Sequence, residues 1–518
     1  MKKFIALFLI AALLLGCTAG LAAAESTLTF AVTSDPSSLF PYGANRGGKQ
    51  ATRTLLYEPL FWIDADGVMQ PILAKSYESL GNGEYEVTIF DYIYDSAGNH
   101  MTASDVVYSL GLYIADGKQP ANYSALTAYE ATGDYTIRLT FGNEHLGNFE
   151  ALVTNLYCIT QAAWEASPDQ MMTTPVGTGR YALKEFKAAT SYTFVKRDNY
   201  WQTDEAYIVD KNKANIDELN LKIITDTSTI AVALEKGEID YTQNIEDADR
   251  PNFRNEDGTA KAGYVSKGFD TSNFVHLTFN CSENSPCADI NLRKAICYAI
   301  DAAAIAFNIQ GSNGEVMKSC LVPTVLDADY ALYAKDDYYA CDFTKAADYL
   351  AKSSYNGQTL RILVKPNINT NTAATLIMAY CNAIGINVEL LAYESALYTE
   401  YSLNEDSTLY DIDLTGLSGT DNYAWKSLYE LDVNSYSGVT NHNFIYDEKL
   451  QHLYDVAANA ATGGPEASAA LADYVDENCY IYSLYTYDVI YFGRDRITKI
   501  ANGGANQESL YNAFELAE

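Results

Sequence analysis

The first residues with a chemical use are Leu14-Leu15-Gly16-Cys17. Lys2 and Lys3 form a short basic region, and Phe4 to Leu15 is an unbroken apolar run, too short to span a bilayer and suited to the core of a signal peptide. A small residue before a cysteine, directly after that run, is the pattern of a bacterial lipobox. Cleavage there leaves Cys17 first, its thiol carrying diacylglycerol. Two acyl chains anchor stably where one is marginal. Ala22-Ala23-Ala24 offers an ordinary cleavage site as the alternative. Other motifs dissolve on inspection. Asp64-Ala65-Asp66-Gly67 lacks the later ligands and closing Glu of a calcium loop and reads as a hairpin turn. Gly177 and Gly179 read as turn residues with unusual backbone angles, because a phosphate cradle needs a following helix with Lys and Ser or Thr.

Nothing points to catalysis, so a secreted hydrolase is disfavoured. There is no G-x-S-x-G elbow, H-E-x-x-H helix or S-x-x-K nucleophile. His100, His145, His276, His442 and His452 are scattered singly, and among 67 acidic residues the closeness of two carboxylates carries no information. No catalytic residue, metal ligand or cofactor is expected. Cys158, Cys281, Cys287, Cys297, Cys320, Cys341, Cys381 and Cys479 follow Cys17, and in an exported chain they permit disulfides. Cys281 and Cys287, flanking a Ser-Pro loop, are near enough in sequence to pair; eight buried thiols are the alternative. Without a C-x-x-C, structural zinc is not expected.

The net charge of -33 argues against nucleic acid, whose phosphates demand clustered Lys and Arg, and disfavours adsorption to anionic lipid. Apolar content of 48% fits a filled core rather than disorder. At roughly 150 residues per unit, 518 residues suffice for two or three lobes. The 42 tyrosines suit a wet ligand cleft, although most must be ordinary core and surface residues.

The elements that must position any site alternate short strands and helices. Thr27 to Val32, Glu84 to Ile89 and Tyr135 to Phe141 alternate apolar and polar, as strands do. Thr102 or Ser104 caps a helix with Asp105 in its first turn, and Asp289 opens another with Leu292, Ala295, Ile296 and Ala299 on one face. Leu360 to Val364, a helix from Ala373 to Ile384 stopped by Gly385, and Ile386 to Leu390 form a strand-helix-strand unit, implying a mostly parallel sheet.

Blocks along the mature chain resemble a known family. They are Asp35-Pro36 with Leu39 and Pro41; Leu56-Tyr57-Glu58-Pro59-Leu60 with Asp66-Gly67 and Pro71-Ile72-Leu73-Ala74; and Thr102 to Ser109. Pro175-Val176-Gly177-Thr178-Gly179-Arg180-Tyr181, Arg197-Asp198-Asn199-Tyr200-Trp201, Gly237-Glu238-Ile239-Asp240, Phe279-Asn280, Asp289 to Ala295 and Ala383 to Val388 continue the series. In this order they are similar to the family 5 extracellular solute-binding proteins, which include dipeptide, oligopeptide and nickel receptors of ABC importers. The resemblance implies an α/β fold, a two-lobed periplasmic-binding-protein-like clamshell of the large peptide-receptor type with three interleaved domains. Mapped here, residues 1–16 are the signal peptide and 17–24 the lipidated tether; 25–58, 175–268 and 486–518 form domain I, 59–174 the inserted domain II, and 269–485 domain III. It also implies a monomeric receptor held at the outer face of the cell membrane, delivering a peptide to transmembrane permease subunits. A metal chelate or glycan as the ligand, or a ligand-sensing accessory role, are the alternatives.

The same resemblance selects ligand-binding residues. Asn45, Arg46 and Gly47 stand where similar receptors line the cleft, and Arg46 suits a ligand carboxylate, unless it pairs with a surface Glu. Tyr123 stands where the second domain supplies a tyrosine, and Tyr482 and Tyr485 where the last aromatic run nears the hinge. The segment from Leu414 to Trp425 resembles the stretch in which peptide receptors carry an aspartate for the ligand's α-amino group. A buried ammonium needs such a partner. Leu417 occupies the matching position, so either Asp421 or Asp413 supplies the charge or the ligand has no free amino group there. Tyr423 and Trp425 are suited to wall a side-chain pocket, with core packing as the alternative.

Overall fold

The computed structural model describes residues 26–43, 48–64, 67–117, 123–145, 147–246, 248–255, 257–269, 273–310, 314–321, 329–364, 368–393, 395–402, 404, 406–418, 444–459, 461–487, 489–503 and 508–517. Cys17 and the apolar run Phe4 to Leu15 lie outside them. Among the described residues no helix is long and apolar enough to cross a membrane.

Thr27–Val32 lies inside a seven-stranded sheet, parallel to Glu218–Ile223 on one side and to Tyr241–Thr242 on the other. Tyr181–Lys187 and Ser191–Lys196 extend that sheet at one edge, and Val489–Arg494 and Tyr264–Phe269 at the other. A four-stranded antiparallel sheet is drawn from Ala74–Gly81, Glu84–Ile89, Thr136–Phe141 and Leu126–Ala131. These two sheets share one apolar core, in which Leu28 and Phe30 are continuous with Val87, Ile137 and Leu139. Together they make the first lobe.

The second lobe has its own core around a six-stranded sheet, ordered Glu315–Val316, Ile481–Thr486, Asn273–Phe279, Ile412–Ser418, Thr359–Val364, Asn387–Ala392. The strand-helix-strand unit is present as Thr359–Val364, the helix Ile368–Ala383 and Asn387–Ala392, with its strands parallel. Gly385 stops it at φ 87°. Asp289 caps the helix Ile290–Ala299 by accepting from the Asn291 amide at 2.8 Å. At the start of Ala103–Asp116, the Asp105 carboxylate reaches back to the Thr102 amide and hydroxyl, 2.7 and 2.9 Å away.

The first-lobe blocks form one buried knot. The Arg197 guanidinium donates to the carbonyls of Gly177, Thr178 and Gly179 at 3.2, 3.0 and 2.8 Å. The two glycines have another cause than the one expected. Neither has a left-handed backbone; instead a Cβ on Gly177 would lie 2.2 Å from the Leu56 carbonyl oxygen, and one on Gly179 2.5 Å from that of Leu55. They are small because the C-terminal end of the helix Gly48–Leu56 presses on them. Beside them the buried Glu58 carboxylate accepts from Trp201 Nε1 at 2.9 Å and from the Tyr200 hydroxyl. Burial raises its pKa against those hydrogen bonds. Asp64 and Gly67 close the hairpin between Phe61–Ile63 and Met69–Pro71, Gly67 at φ 77°.

Tyrosine does much of the filling. Tyr57, Tyr181 and Tyr241 are among the largest fully buried side chains, and their hydroxyls meet Leu39 O at 3.0 Å, Ile216 O at 2.6 Å and Ser509 Oγ at 2.6 Å. The tyrosine excess is therefore substantially a core feature here.

Candidate functional site

Two strands cross between the lobes side by side. Tyr264–Phe269 ends in the seven-stranded sheet and Asn273–Phe279 begins in the six-stranded sheet. In the opposite direction Ile481–Thr486 ends in the second lobe and Val489–Arg494 begins in the first. The crossing strands pair antiparallel on each side, Phe269 with Val489 and Phe274 with Thr486. Between them the Tyr487 amide donates to Asn273 O at 3.2 Å. A two-stranded ribbon of this kind, with only a few residues between lobes, is a hinge.

Ile412–Ser418 runs antiparallel to Asn273–Phe279, Ser418 opposite Asn273 and Leu417 opposite Phe274. The strand thus ends at the hinge. Gly416 lies beside the crossing: a Cβ on it would be in ordinary contact, 3.5 Å, with both Phe274 O and the Tyr487 hydroxyl. Alternate residues share a face, so Asp413 and Thr415 stand with Thr278 and His276. Asp413 is buried, and its two carboxylate oxygens accept from the Tyr398 hydroxyl at 3.2 and 3.0 Å. Burial and this carboxylate raise the Tyr398 pKa. Asp413 is therefore engaged within its own lobe. From Ser418 the chain continues into the segment carrying Asp421, Tyr423 and Trp425, which lies outside the described residues.

On the first lobe, Asn45, Arg46 and Gly47 lie outside the described residues, but the helix that follows them is informative. Gly48 presses on the Ser34-Pro36 turn, where a Cβ would meet Ser34 O at 2.3 Å. Lys49 is buried, donates to the carbonyls of Ser38, at 2.8 Å, and Phe40, and is lowered to about 7 by burial with Arg53 beside it. Arg53 is only 2% exposed and stacks over Tyr157 with its guanidinium carbon 4.1 Å from the ring centre. Sequence reasoning missed both cations. Their i, i+4 spacing, which puts both on one face of the helix Gly48–Leu56, was the available signal.

Tyr123 is half-buried, its ring 5.5 Å from that of Tyr113 and its hydroxyl donating to Ile114 O at 3.4 Å. Tyr485 is fully buried in the second lobe's core, opposite Val275 on the strand leading to the hinge, and Tyr482 is buried beside Tyr338 and Tyr339. The lobes meet again away from the hinge. His145 of the first forms a backbone bridge with Asn459 of the second, sets its ring edge-on to Tyr454 at 5.9 Å, and holds Nε2 3.8 Å from Asp455 Oδ1.

Two α/β lobes joined by a strand ribbon, with an interior strand of the second sheet ending at the joint, define the class of hinged ligand receptors. Residues 68–438 match the model of the bacterial extracellular solute-binding proteins, family 5, and the chain belongs to that family. Heme-binding protein A of Haemophilus influenzae is 25% identical over 63% of this chain, and the chain covers 58% of that protein's length. The oligopeptide-binding protein OppA of Bacillus subtilis is 23% identical over 76% of this chain and 75% of its own. Among solved structures, the ABC transporter substrate-binding protein CtaP of Listeria monocytogenes aligns over 95% of this chain and all of its own, with TM-score 0.79 and 23% identity. Members of this family are solute-binding receptors of the extracytoplasmic space.

Proposed function

We propose that this chain captures a peptide between its two lobes and delivers it to the permease of an ABC importer. The observation that carries the reading is the ribbon hinge at Asn273 and Tyr487, at which the strand Ile412–Ser418 ends. A hinge of this geometry lets rigid lobes close on a solute without disturbing either core. The ligand residues on this reading are Asn45, Arg46, Gly47 and Tyr123 from the first lobe, and Leu417, Asp421, Tyr423, Trp425 and Tyr485 from the second. Arg46, with the buried Arg53 in the adjoining helix, offers positive potential to a peptide carboxylate, which an overall charge of -33 otherwise repels. Relatives sharing the architecture are named for oligopeptides and for heme, so family membership leaves the ligand open.

The finer assignments belong to the same proposal. Residues 25–58, 175–268 and 486–518 act as domain I, 59–174 as domain II and 269–485 as domain III. Cys17 carries the lipid that tethers a monomer to the outer face of the membrane.

Native mass spectrometry of gently purified full chain, followed by denaturation and identification of what is released, tests the ligand class. A heterogeneous set of short peptides is expected; a single non-peptide solute overturns the peptide assignment. Trp425→Ala is expected to weaken binding of the released peptides about ten-fold or more, as removal of a central aromatic anchor does. An unchanged affinity in a folded variant removes Trp425 from the site.

A further inference from the structure

Cysteine use is lopsided. Cys158 lies in the first lobe, and the other seven described cysteines, Cys281 to Cys479, belong to the second. Several satisfy their thiols separately: Cys281 donates to Phe279 O at 3.4 Å, Cys320 to Ala472 O at 3.6 Å and Cys341 to Ala299 O at 3.7 Å. Cys297 and Cys479 differ. Their sulfurs are 3.2 Å apart, both residues are fully buried, and they are 182 positions apart in the chain.

The scaffold around this pair is fixed. Cys297 lies on the helix Ile290–Ala299, and Cys479 caps the helix Pro465–Asn478. Arg293, one turn before Cys297, clamps the two together. Its Nε donates to Cys479 O at 2.9 Å and its Nη2 to Asn478 O at 2.7 Å, while Nη1 reaches Cys287 O and Ala288 O at 2.7 and 2.9 Å. Cys479 also has φ 52°, the left-handed conformation in which helix C-caps favour glycine or asparagine. A cysteine in that backbone position is disfavoured on its own account, which calls for a reason in its side chain.

We propose that Cys297 and Cys479 are joined by a disulfide in the exported protein. The extracytoplasmic location of the family supplies the setting in which such bonds form and persist. Disulfide sulfurs are about 2.05 Å apart, so bonding requires an approach of about 1.2 Å from the observed separation.

With Cys479 as the first nucleophile, the exchange takes two steps. The Cys479 thiolate attacks one sulfur of a donor disulfide, either an export-compartment oxidoreductase or a low-molecular-weight disulfide, and expels the other donor sulfur as thiolate. Cys297 then loses its proton and attacks Cys479 Sγ in the mixed disulfide, releasing the second donor sulfur. Two electrons and two protons pass from the cysteines to the donor, which becomes a dithiol if it is an oxidoreductase and two thiols if it is a low-molecular-weight disulfide. Because neither sulfur is exposed, the exchange precedes final packing of the Cys479 turn. The bond then joins two helices beside Ile481–Thr486, the strand that enters the hinge.

The test is peptide mapping of the full chain, expressed with its own leader, recovered from the export compartment, denatured, alkylated without reductant and digested. The expected product is a linked peptide containing Cys297 and Cys479, with Cys281 and Cys287 alkylated. Reduction should lower the thermal midpoint by about 5 °C or more, since the bond closes a long loop. That response should vanish in Cys297→Ser. Full alkylation of both cysteines in the wild type, even after oxidised glutathione is present during refolding, overturns the proposal, as does a Cys281–Cys287 linked peptide in place of the expected one. If Cys297→Ser does not fold, the wild-type map decides alone.

Discussion

At the scale of single residues, the first lobe turns on a steric fact invisible in one dimension. The Pro175 to Tyr181 block was legible as a structural turn, and it is one. Its glycines were expected to serve backbone freedom, whereas the structure shows them yielding space to a helix end that precedes them by more than a hundred residues. Contacts at that separation leave no local trace. Gly177→Ala places a methyl group 2.2 Å from Leu56 O and 2.6 Å from the Tyr57 ring. Because the first contact is backbone and cannot rotate away, the lobe must shift and the Arg197 hydrogen bonds loosen with it. The expected cost is about 2–4 kcal/mol in urea unfolding. A variant as stable as wild type would show that the approach at Gly177 is not tight.

At the scale of elements, patterns with a local cause were legible and their ends less so. Thr27–Val32 and Glu84–Ile89 coincide with the alternating runs, and Asp289 caps its helix as its side chain dictates. The helix anticipated from Ala373 starts earlier, at Ile368, across a run of Asn and Thr whose local preferences oppose helix. Tertiary packing of Ala373, Ala374, Ile377 and Cys381 against the second core overrides them. The docking of Pro465–Asn478 depends on a group with no sequence signature, Asp476. Its carboxylate is buried and accepts from Ser319 Oγ and the Cys320 amide, both at 3.2 Å, with Lys335 Nζ at 3.4 Å. Burial pushes it up to about 6 against the Lys335 charge. An unfolded aspartate titrates near 3.9, so between these values the folded state binds the proton more tightly. Stability from this group therefore rises as pH falls from about 7 towards 4 and is lost as pH climbs through about 6, by up to roughly 3 kcal/mol. Urea midpoints at pH 5 and pH 7.5 for wild type and Asp476→Asn check it: the wild type should gain on the variant at the lower pH. Parallel profiles would assign the pH dependence elsewhere.

At the scale of the whole molecule, function rests on two rigid cores and what holds them at one angle. The family blocks made the two-lobed architecture legible, but the second meeting point of the lobes was not, because His145 read as one of five isolated histidines. Its partners Tyr454 and Asp455 in the helix Glu448–Ala458, and Asn459 just after it, come some three hundred residues later. The strand ribbon at Asn273 and Tyr487 allows the lobes to swing, so side-chain contacts between the lobes outside it bear on how long a closed state lasts. His145 is such a contact, bridging to Asn459 through backbone and meeting Tyr454 and Asp455 through its ring. Truncation to alanine leaves the backbone bridge and removes the ring contacts, a loss of about 1 kcal/mol for a mostly buried ring against a half-exposed carboxylate. If that contact exists only when the lobes are closed, the loss falls on release rather than capture. His145→Ala should then speed dissociation of the bound solute roughly five-fold at an unchanged association rate, measurable by stopped-flow chase with excess unlabelled ligand. An unchanged dissociation rate would mean that His145 and Asp455 touch equally in the open receptor, and closure would have to be held by the ligand and the hinge alone.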